Sequence, residues 1–135
     1  MSNEVLIGGC LCGTVRYEVR ARIASLCHCH CKMCQKAHGS AFGTYAPVPR
    51  SAFHVKTGSG AIRACQSSPA ARRMFCSRCG SQLFWDNETE FPDALFLAAA
   101  TLDSAISPDE QRHIHATSKA SWYQITDLWP QSEWY

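Results

Sequence analysis

Nine cysteines in a chain of 135 residues constrain this sequence more than any other feature. They lie in three groups with one outlier: Cys10 and Cys12, then Cys27, Cys29, Cys31 and Cys34, then Cys76 and Cys79, with Cys65 alone. An odd count argues against a complete set of disulfides. Closely spaced cysteines are typical of metal binding, so we expect the chain to fold around metal ions rather than disulfide bonds.

The cellular setting expected from the sequence is one in which thiols stay reduced. The first ten residues, MSNEVLIGGC, lack the basic start and the long apolar run of a signal peptide. No apolar stretch of the sequence approaches the roughly 20 residues of a membrane span. We therefore predict a cytoplasmic protein. The formal net charge of +2 is too small to indicate binding to nucleic acid or to an anionic membrane.

Length and residue pattern predict a single, mainly β domain that spans residues 1–135. From alternating or continuous apolar residues between turn residues, antiparallel strands are expected at 14–19, 51–56, 61–64, 73–75, 82–85, 94–100, 112–116 and 122–125. The segment 57–60 would close a hairpin between two of these strands, and 94–100 would be a central strand. Helix is expected only at 32–38 and as a single turn at 107–110.

The clearest metal motif is the C-x-x-C turn of Cys76 and Cys79, which is followed by Gly80 and lies between two predicted strands. Such a turn, a zinc knuckle, lets two thiolates converge on one ion, and structural zinc needs four ligands. Cys10 and Cys12 are the best candidates for the second pair, because glycines around them allow a close approach to the metal. A thioredoxin-like redox role is disfavoured, because the motif lies between strands instead of opening a helix.

The central group offers Cys29, Cys31 and Cys34 as a C-x-C-x-x-C motif, in which three ligands within six residues can wrap one ion. Three protein ligands and one open position describe a catalytic zinc site. Spacing alone leaves this partition open, because a fourth ligand would close the site and make it purely structural. The candidates for that ligand are Cys27, His28, His30 and His38. The lone Cys65 is expected to be a small buried hydrophobe.

Several stretches of the chain resemble one known family. They are 8–17 (GGCLCGTVRY), 29–36 (CHCKMCQK) with Gly39 and Phe42, 75–85 (FCSRCGSQLFW), 101–103 (TLD), and 118–122 (SKASW) with 130–131 (PQ). These stretches are similar to motifs of the glutathione-dependent formaldehyde-activating enzyme family. They cover nearly the whole chain, and three cysteine motifs in the same order at fitting distances make the resemblance specific.

The resemblance implies an Mss4-like fold, a β-tent whose antiparallel sheets are joined by a structural zinc site. It implies two zinc ions per chain, a structural one on Cys10, Cys12, Cys76 and Cys79 and a catalytic one on Cys29, Cys31 and Cys34. The family's activity is the condensation of glutathione with formaldehyde to S-(hydroxymethyl)glutathione, a carbon–sulfur lyase reaction written in reverse. The expected partners are a small thiol, glutathione, and an aldehyde, with no nucleic acid and no membrane.

Two other functions fit the same motifs. One is a non-catalytic zinc module that binds a protein partner; the family's relatives include centromere protein V of animals, which resembles a binding protein more than an enzyme. The other is a thiol-sensing or metal-handling protein. Four cations could bind the carboxylates of glutathione, but we expect them to be ordinary solvated charges on the surface. They are Lys36, Arg72, Arg73 and Arg78. Core packing is the default expectation for the late aromatic residues, with a cleft wall or a dimer interface as the alternatives; these residues are Trp122, Tyr123, Trp129, Trp134 and Tyr135.

Overall fold

The computed structural model describes residues 4–135, so residues 1–3 of the predicted domain lie outside the described residues. The strands of the described chain are β1 (Leu6–Gly9), β2 (Arg16–Val19), β3 (Ser25–Cys29), β4 (Gly43–Pro49), β5 (Phe53–Thr57), β6 (Ile62–Gln66), β7 (Arg72–Cys76), β8 (Gln82–Asp86), β9 (Ala94–Ala98) and β10 (Glu110–Ile114). One α-helix, α1, spans Lys32–His38. Within residues 4–135, no helix has the length and apolar character that crossing a membrane requires.

The strands form two sheets. A three-stranded sheet has the order β1-β2-β5, and a seven-stranded sheet has the order β10-β3-β4-β9-β8-β7-β6. The described pairs are antiparallel except β10 with β3, which run parallel. The prediction of a mainly β fold is confirmed, and the prediction of purely antiparallel sheets is wrong at this pair. Two parallel strands need a long crossover connection between them. Here the connection from β3 to β10 along the chain contains most of the other strands of the large sheet.

The main hydrophobic core joins the two sheets. Leu6 and Val19 of the small sheet are buried in one cluster with Ala46, Val48 and Leu97 of the large sheet. Alternation explains the choice of side chains, because every second residue of β1 and β2 is buried. The sheets therefore share a core and pack as layers of one structure.

Several predicted elements are confirmed. The helix α1 has the predicted bounds; Cys34 N–H donates to the Sγ of the capping residue Cys31 at 3.3 Å, and Gly39 ends the helix with a left-handed φ of 60°. The strands β7 and β8 form the predicted hairpin, with Cys76 and Cys79 at its turn. The strand β9 lies between β4 and β8 and is central, as expected.

Three predicted elements are wrong. The hairpin around 57–60 does not form, because β5 pairs with β2 in the small sheet whereas β6 pairs with β7 in the large sheet. The helical turn at 107–110 is replaced by the entry to β10, where Asp109 N–H donates to Ala24 O at 2.8 Å and brings the chain beside β3. The segment 122–125 contains no strand and begins within a turn at 121–122. In each case distant partners, rather than the local pattern, decide the structure.

Candidate metal centres

Four cysteines from distant parts of the chain meet in one cluster. The Sγ atoms of Cys10, Cys12, Cys76 and Cys79 all lie within 4.8 Å of one another. Cys10 Sγ and Cys12 Sγ are 3.6 Å apart, and Cys12 Sγ and Cys76 Sγ are 3.9 Å apart. Sulfur atoms placed about 2.3 Å from a tetrahedral zinc ion lie about 3.8 Å from each other. The donor set and its spacing therefore fit a four-thiolate zinc site.

Two turns build this four-cysteine cluster. Gly80 has a φ of 80°, a left-handed conformation that glycine adopts without strain, and its N–H donates to Cys76 O at 2.7 Å. The turns touch directly, because Leu11 N–H donates to Ser81 Oγ at 2.9 Å. Hydrogen bonding to Ser81 lowers the pKa of the Cys79 thiol to about 5, which favours the thiolate that metals bind. The cluster thus ties the β1–β2 turn of the small sheet to the β7–β8 turn of the large sheet.

The second group, which we call the cysteine trio, consists of Cys29, Cys31 and Cys34. Cys29 ends β3, Cys31 caps α1, and Cys34 lies in the first turn of the helix. Their Sγ atoms lie within 4.8 Å of one another, with Cys29 and Cys34 buried and Cys31 partly exposed. A strand end followed closely by a helix start brings the three side chains together. Three sulfur donors in this arrangement fit a metal site with three protein ligands.

Hydrogen bonds couple the protons of the cysteine trio. Interactions with the side chains of Cys29 and Cys34 hold the pKa of the Cys31 thiol well below its usual range. The hydrogen bond to Cys31 raises the pKa of Cys29. Thiolate is the form that binds metals and attacks electrophiles. The close contacts within the cysteine trio therefore lower the pKa of one of its thiols, which favours the form that metals bind.

Two of the predicted alternatives for a fourth ligand are held elsewhere. The ring nitrogens of His28 lie 2.8 Å from Thr44 Oγ1 and 2.8 Å from Gln111 Oε1. His30 is buried, and its Nε2 lies 2.8 Å from His113 Nδ1. Burial also lowers the pKa of His30 to about 4. Both histidines alternate with the cysteines along this segment, so they face away from the cysteine trio.

The other two alternatives also stay outside the cysteine trio. His38 Nε2 lies 2.9 Å from Tyr45 Oη. Cys27 is buried two residues before Cys29, and burial raises the pKa of its thiol to about 11. Across residues 4–135, no further cysteine, histidine or carboxylate joins the three sulfur atoms.

Arg73 is a buried cation beside the cysteine trio. Its side chain is only 6% exposed, and its guanidinium donates to Tyr45 Oη at 2.9 Å and to Cys34 Sγ at 3.6 Å. Neither acceptor is a carboxylate. Burial disfavours the charge, but the neighbouring Tyr45 and Cys34 more than offset this and raise the pKa of Arg73. The expectation of a solvated surface charge is therefore wrong for Arg73.

Other expectations about side chains have mixed outcomes. Three of the four cations are exposed as expected, namely Lys36, Arg72 and Arg78. Cys65 is exposed, so the prediction that it is buried is wrong; it lies on the edge strand β6, most of whose residues face solvent. The prediction of core packing is wrong for Trp122, Trp129, Trp134 and Tyr135, which are 74%, 37%, 72% and 59% exposed. The two sheets fill the core without them.

A cavity of about 410 Å³ lies against the cysteine trio. Its lining includes the three cysteines together with Arg73 and Tyr45, and also the partly buried aromatic residues Trp85, Phe91 and Phe96. Sites for small molecules have volumes of roughly 300–1,000 Å³ and are mostly apolar with a few polar groups. The cavity therefore places three candidate metal ligands where a small molecule could reach them.

Sequence reasoning missed most of the residues that surround the cysteine trio. His115 lines the cavity with a φ of 52°, a left-handed conformation that is uncommon outside glycine and that often marks functional sites. Neither His115 nor Tyr45 belongs to a sequence motif that could have identified it as a residue of this cavity. Trp85 lies in a stretch that resembles the family, yet nothing in that stretch assigns it to a cavity. These residues come together only through the pairing of distant strands.

Fold and site together define a mainly β protein with two cysteine clusters that could hold metal ions. The sequence profile of the family described as glutathione-dependent formaldehyde-activating enzyme matches residues 5–118. The chain therefore belongs to the glutathione-dependent formaldehyde-activating enzyme family, and the resemblance seen in its cysteine motifs is confirmed.

Two individual proteins are similar to this chain. A protein of Halomonas elongata, named as a candidate glutathione-dependent formaldehyde-activating enzyme, is 31% identical over 132 residues, which cover 90% of this chain and 81% of the relative. The crystal structure of a Rhodobacter sphaeroides protein matches with a TM-score of 0.62 and 24% identity, over 73% of this chain and 89% of that protein. The second likeness shows the fold alone and agrees with the mainly β architecture.

Proposed function

We propose that the chain is a zinc-dependent enzyme that adds glutathione, or a similar small thiol, to formaldehyde or another small aldehyde. In this reaction the thiol sulfur bonds to the carbonyl carbon, the carbon–oxygen π bond breaks, and the thiol proton ends on the oxygen. No oxidant or reductant is needed. Written in reverse, the reaction is that of a carbon–sulfur lyase. Membership of the family supports this class of reaction.

The observation that carries the proposal is the cysteine trio in the lining of a cavity, beside the buried Arg73. Three thiolates around one divalent zinc ion leave one net negative charge. A buried cation is costly unless an opposite charge lies beside it. The guanidinium of Arg73, in contact with Cys34 Sγ, would balance such an anionic centre.

The residues around the cavity suggest how the site would be organised. The four-cysteine cluster would hold a structural zinc ion, and the cysteine trio would hold a second one. A zinc ion there would supply Lewis acidity and would lower the pKa of a thiol that enters its open position. His38 lies 2.9 Å from Tyr45 Oη, which in turn accepts from Arg73, so this network orients the guanidinium. Arg73 would thereby stabilise negative charge that gathers near Cys34.

The proposed activity belongs in the cytoplasm. Thiols stay reduced in that compartment, whereas oxidising compartments would convert closely spaced cysteines into disulfides. Both cysteine clusters must be reduced to bind metal, because the thiolate is the ligand. The free state of all nine cysteines is consistent with this setting.

The test is the rate of exchange between glutathione plus formaldehyde and their adduct, measured by NMR exchange spectroscopy. The adduct forms spontaneously, so only acceleration above the protein-free rate counts. We expect the zinc-loaded protein to accelerate the exchange and Cys31→Ser to abolish the acceleration. Cys65→Ser is the matched control, because Cys65 is exposed and lies outside both cysteine clusters.

Each result of this experiment has a clear consequence. Acceleration that survives in Cys31→Ser would contradict the role of the cysteine trio. A wild-type protein that carries two zinc ions but gives no acceleration would contradict the proposed reaction with these substrates. Zinc content measured on the same samples by mass spectrometry verifies that the wild type carries two ions and that Cys31→Ser has lost only one.

A further inference from the structure

Three aromatic side chains form a continuous apolar surface in the cavity, which we call the aromatic wall. The ring centroids of Trp85 and Phe96 are 5.4 Å apart, those of Phe91 and Phe96 are 4.9 Å apart, and those of Trp85 and Phe91 are 6.1 Å apart. All three pairs have the edge-to-face geometry that favours aromatic contacts. None of the three is fully buried, so part of the aromatic wall remains free to contact a ligand in the cavity.

The backbone holds the aromatic wall in place. Trp85 and Phe96 are directly opposite partners on β8 and β9. Phe91 lies in the connection between these strands, where its N–H donates to Asn87 O at 2.8 Å, and Asn87 Oδ1 accepts from Glu90 N–H at 3.0 Å. A preformed apolar surface binds a ligand without the cost of first ordering its side chains.

Neither glutathione nor formaldehyde would cover the aromatic wall. Among the charged residues of the lining, Arg73 is engaged with Tyr45 and Cys34, whereas Glu90 and Arg112 are exposed. The charged groups of glutathione would be best satisfied at exposed polar positions of this kind. Formaldehyde, with one carbon and one oxygen atom, is too small to contact three rings. The aromatic wall therefore fits a group that neither of these substrates carries.

We propose that the carbonyl substrate carries an aromatic or branched apolar group, which packs on the aromatic wall while the carbonyl carbon reacts beside the cysteine trio. This inference rests on the proposed function, because it names the substrate class of the same site. The cavity of about 410 Å³ can hold a group of the size of a phenyl ring, and removing apolar surfaces from water favours binding. The bond changes stay the same: the carbon–sulfur bond forms, the carbon–oxygen π bond breaks, and the thiol proton goes to the oxygen.

Two measurements on the zinc-loaded protein test this inference. Exchange spectroscopy compares kcat/KM for phenylacetaldehyde with that for formaldehyde, each with glutathione. Binding of 2-phenylethanol, an unreactive alcohol with the same phenyl group, is followed by NMR. The test variant is Phe91→Ala, which removes one ring of the aromatic wall from a connection between strands. The matched control is Trp122→Ala, which removes an exposed aromatic side chain outside the cavity.

We expect kcat/KM for phenylacetaldehyde to exceed that for formaldehyde by at least about tenfold. Phe91→Ala should reduce this ratio by about tenfold and weaken the binding of 2-phenylethanol by a similar factor. Trp122→Ala should change neither quantity. Thermal unfolding of each variant verifies that it is folded, and the preference of the wild type tests the inference without any substitution.

The failure of this inference is distinguishable from the failure of the proposed function. Turnover of formaldehyde without a preference for phenylacetaldehyde, and without binding of 2-phenylethanol, would overturn the substrate class while leaving the proposed function intact. Binding of 2-phenylethanol that depends on Phe91, without turnover of either aldehyde, would support the apolar site and contradict the proposed function.

Discussion

At the scale of single residues, two adjacent arginines in β7 show how position decides the role of a charge. Arg72 is exposed, and its guanidinium lies 3.7 Å from Asp86 and 4.0 Å from Glu88. Arg73 faces the opposite side of the strand, where it is buried against Cys34 Sγ. Exposed ion pairs contribute at most about 1 kcal/mol, whereas a buried charge without its partner costs several. The two arginines therefore form a matched pair for mutagenesis.

Replacing Arg73 by methionine should weaken zinc binding at the cysteine trio. Without the cation, the anionic centre would be buried and uncompensated, so we expect the zinc dissociation constant of the cysteine trio to rise by at least about tenfold. Competition with a chromogenic zinc chelator measures this constant independently of turnover. Arg73→Lys should recover part of the affinity, because lysine keeps the charge but cannot reproduce both guanidinium contacts.

Arg72→Met is the control for this prediction. The ion pairs of Arg72 lie on the other side of β7, and Arg50 keeps the buried Asp86 paired, so the zinc dissociation constant of the cysteine trio should not change. An Arg73→Met protein that binds zinc as tightly as the wild type would contradict the charge-balancing role of Arg73. A fall in zinc affinity in both methionine variants would indicate a general effect of charge instead.

Tyr17 leads to a prediction about pH. Its side chain is buried in the core, and burial raises the pKa of Tyr17 to about 12 from a usual value of 10.0. The unfolded chain therefore loses this proton at lower pH than the folded chain does. The contribution of Tyr17 to the free energy of unfolding is therefore fully present below pH 10. It should be lost as the pH rises toward about 12, and the total loss should be roughly 2 to 3 kcal/mol.

Urea denaturation of the wild type and of Tyr17→Phe, at about pH 8 and about pH 11, measures this loss. Phenylalanine lacks the ionising group, so the free energy of unfolding of the wild type should fall more than that of the variant. At the lower pH the wild type should be the more stable protein, because its hydroxyl lies 2.6 Å from Thr101 Oγ1. Equal losses in both proteins would contradict the assignment to Tyr17.

At the scale of elements, turns and element ends carry the cysteines, and strand pairing brings them together. The hairpin of β7 and β8 is predictable because its turn and both strands are neighbours in sequence. The strands β1, β3 and β4 are not predicted, because their sequences LIGG, SLCHC and GTYAPVP contain glycine, polar or proline residues that obscure an apolar alternation. The two cysteine clusters also differ in position, since one joins two sheets and the other lines a cavity.

This difference predicts opposite effects of two serine substitutions. Cys79→Ser should lower the melting temperature by at least about 10 °C, because a structural zinc site contributes directly to the free energy of folding. Cys31→Ser should leave the fold largely intact and reduce the zinc content from about two ions to about one per chain. Thermal unfolding by circular dichroism and metal analysis measure the two effects. The reverse pattern, with Cys31→Ser unfolded and Cys79→Ser stable, would show that the two roles are exchanged.

At the scale of the whole molecule, the two sheets depend on one core. Residues of β1 and β2 pack in the same buried cluster as residues of β4 and β9, and the four-cysteine cluster joins the sheets at a second place. The hydroxyl contact between Tyr17 and Thr101 links β2 to the turn after β9. Contacts of this kind favour cooperative unfolding, because neither sheet can keep its buried face covered without the other.

We predict a single unfolding transition for the zinc-loaded protein. Tryptophan fluorescence reports mainly on the large sheet and the late residues, whereas far-ultraviolet circular dichroism reports on all strands. Their urea transitions should coincide, with one midpoint and one slope. Two separate transitions would contradict a single domain and would indicate that the small sheet unfolds by itself.

The sequence by itself was enough to predict the fold class of this chain, its family and its cysteine motifs. The C-x-x-C turn, the helix at 32–38 and the hairpin that carries Cys76 and Cys79 are local structures, so residues close in the chain are enough to predict them. The family also follows from such local motifs. The grouping of the cysteines into a set of four and a set of three was expected from ligand number together with the family resemblance, whereas the spacing alone left it open.

Only the tertiary structure decided what surrounds the cysteine trio. Arg73, Tyr45 and the aromatic wall reach the cavity from β4, β7, β8, β9 and the connection between β8 and β9. The order of these strands in the sheet depends on contacts far apart in sequence. His28 and His30 lie beside the trio in sequence yet point away from it. Burial is a property of the packed molecule, so no local pattern could report that Arg73 is enclosed while Arg72 faces solvent.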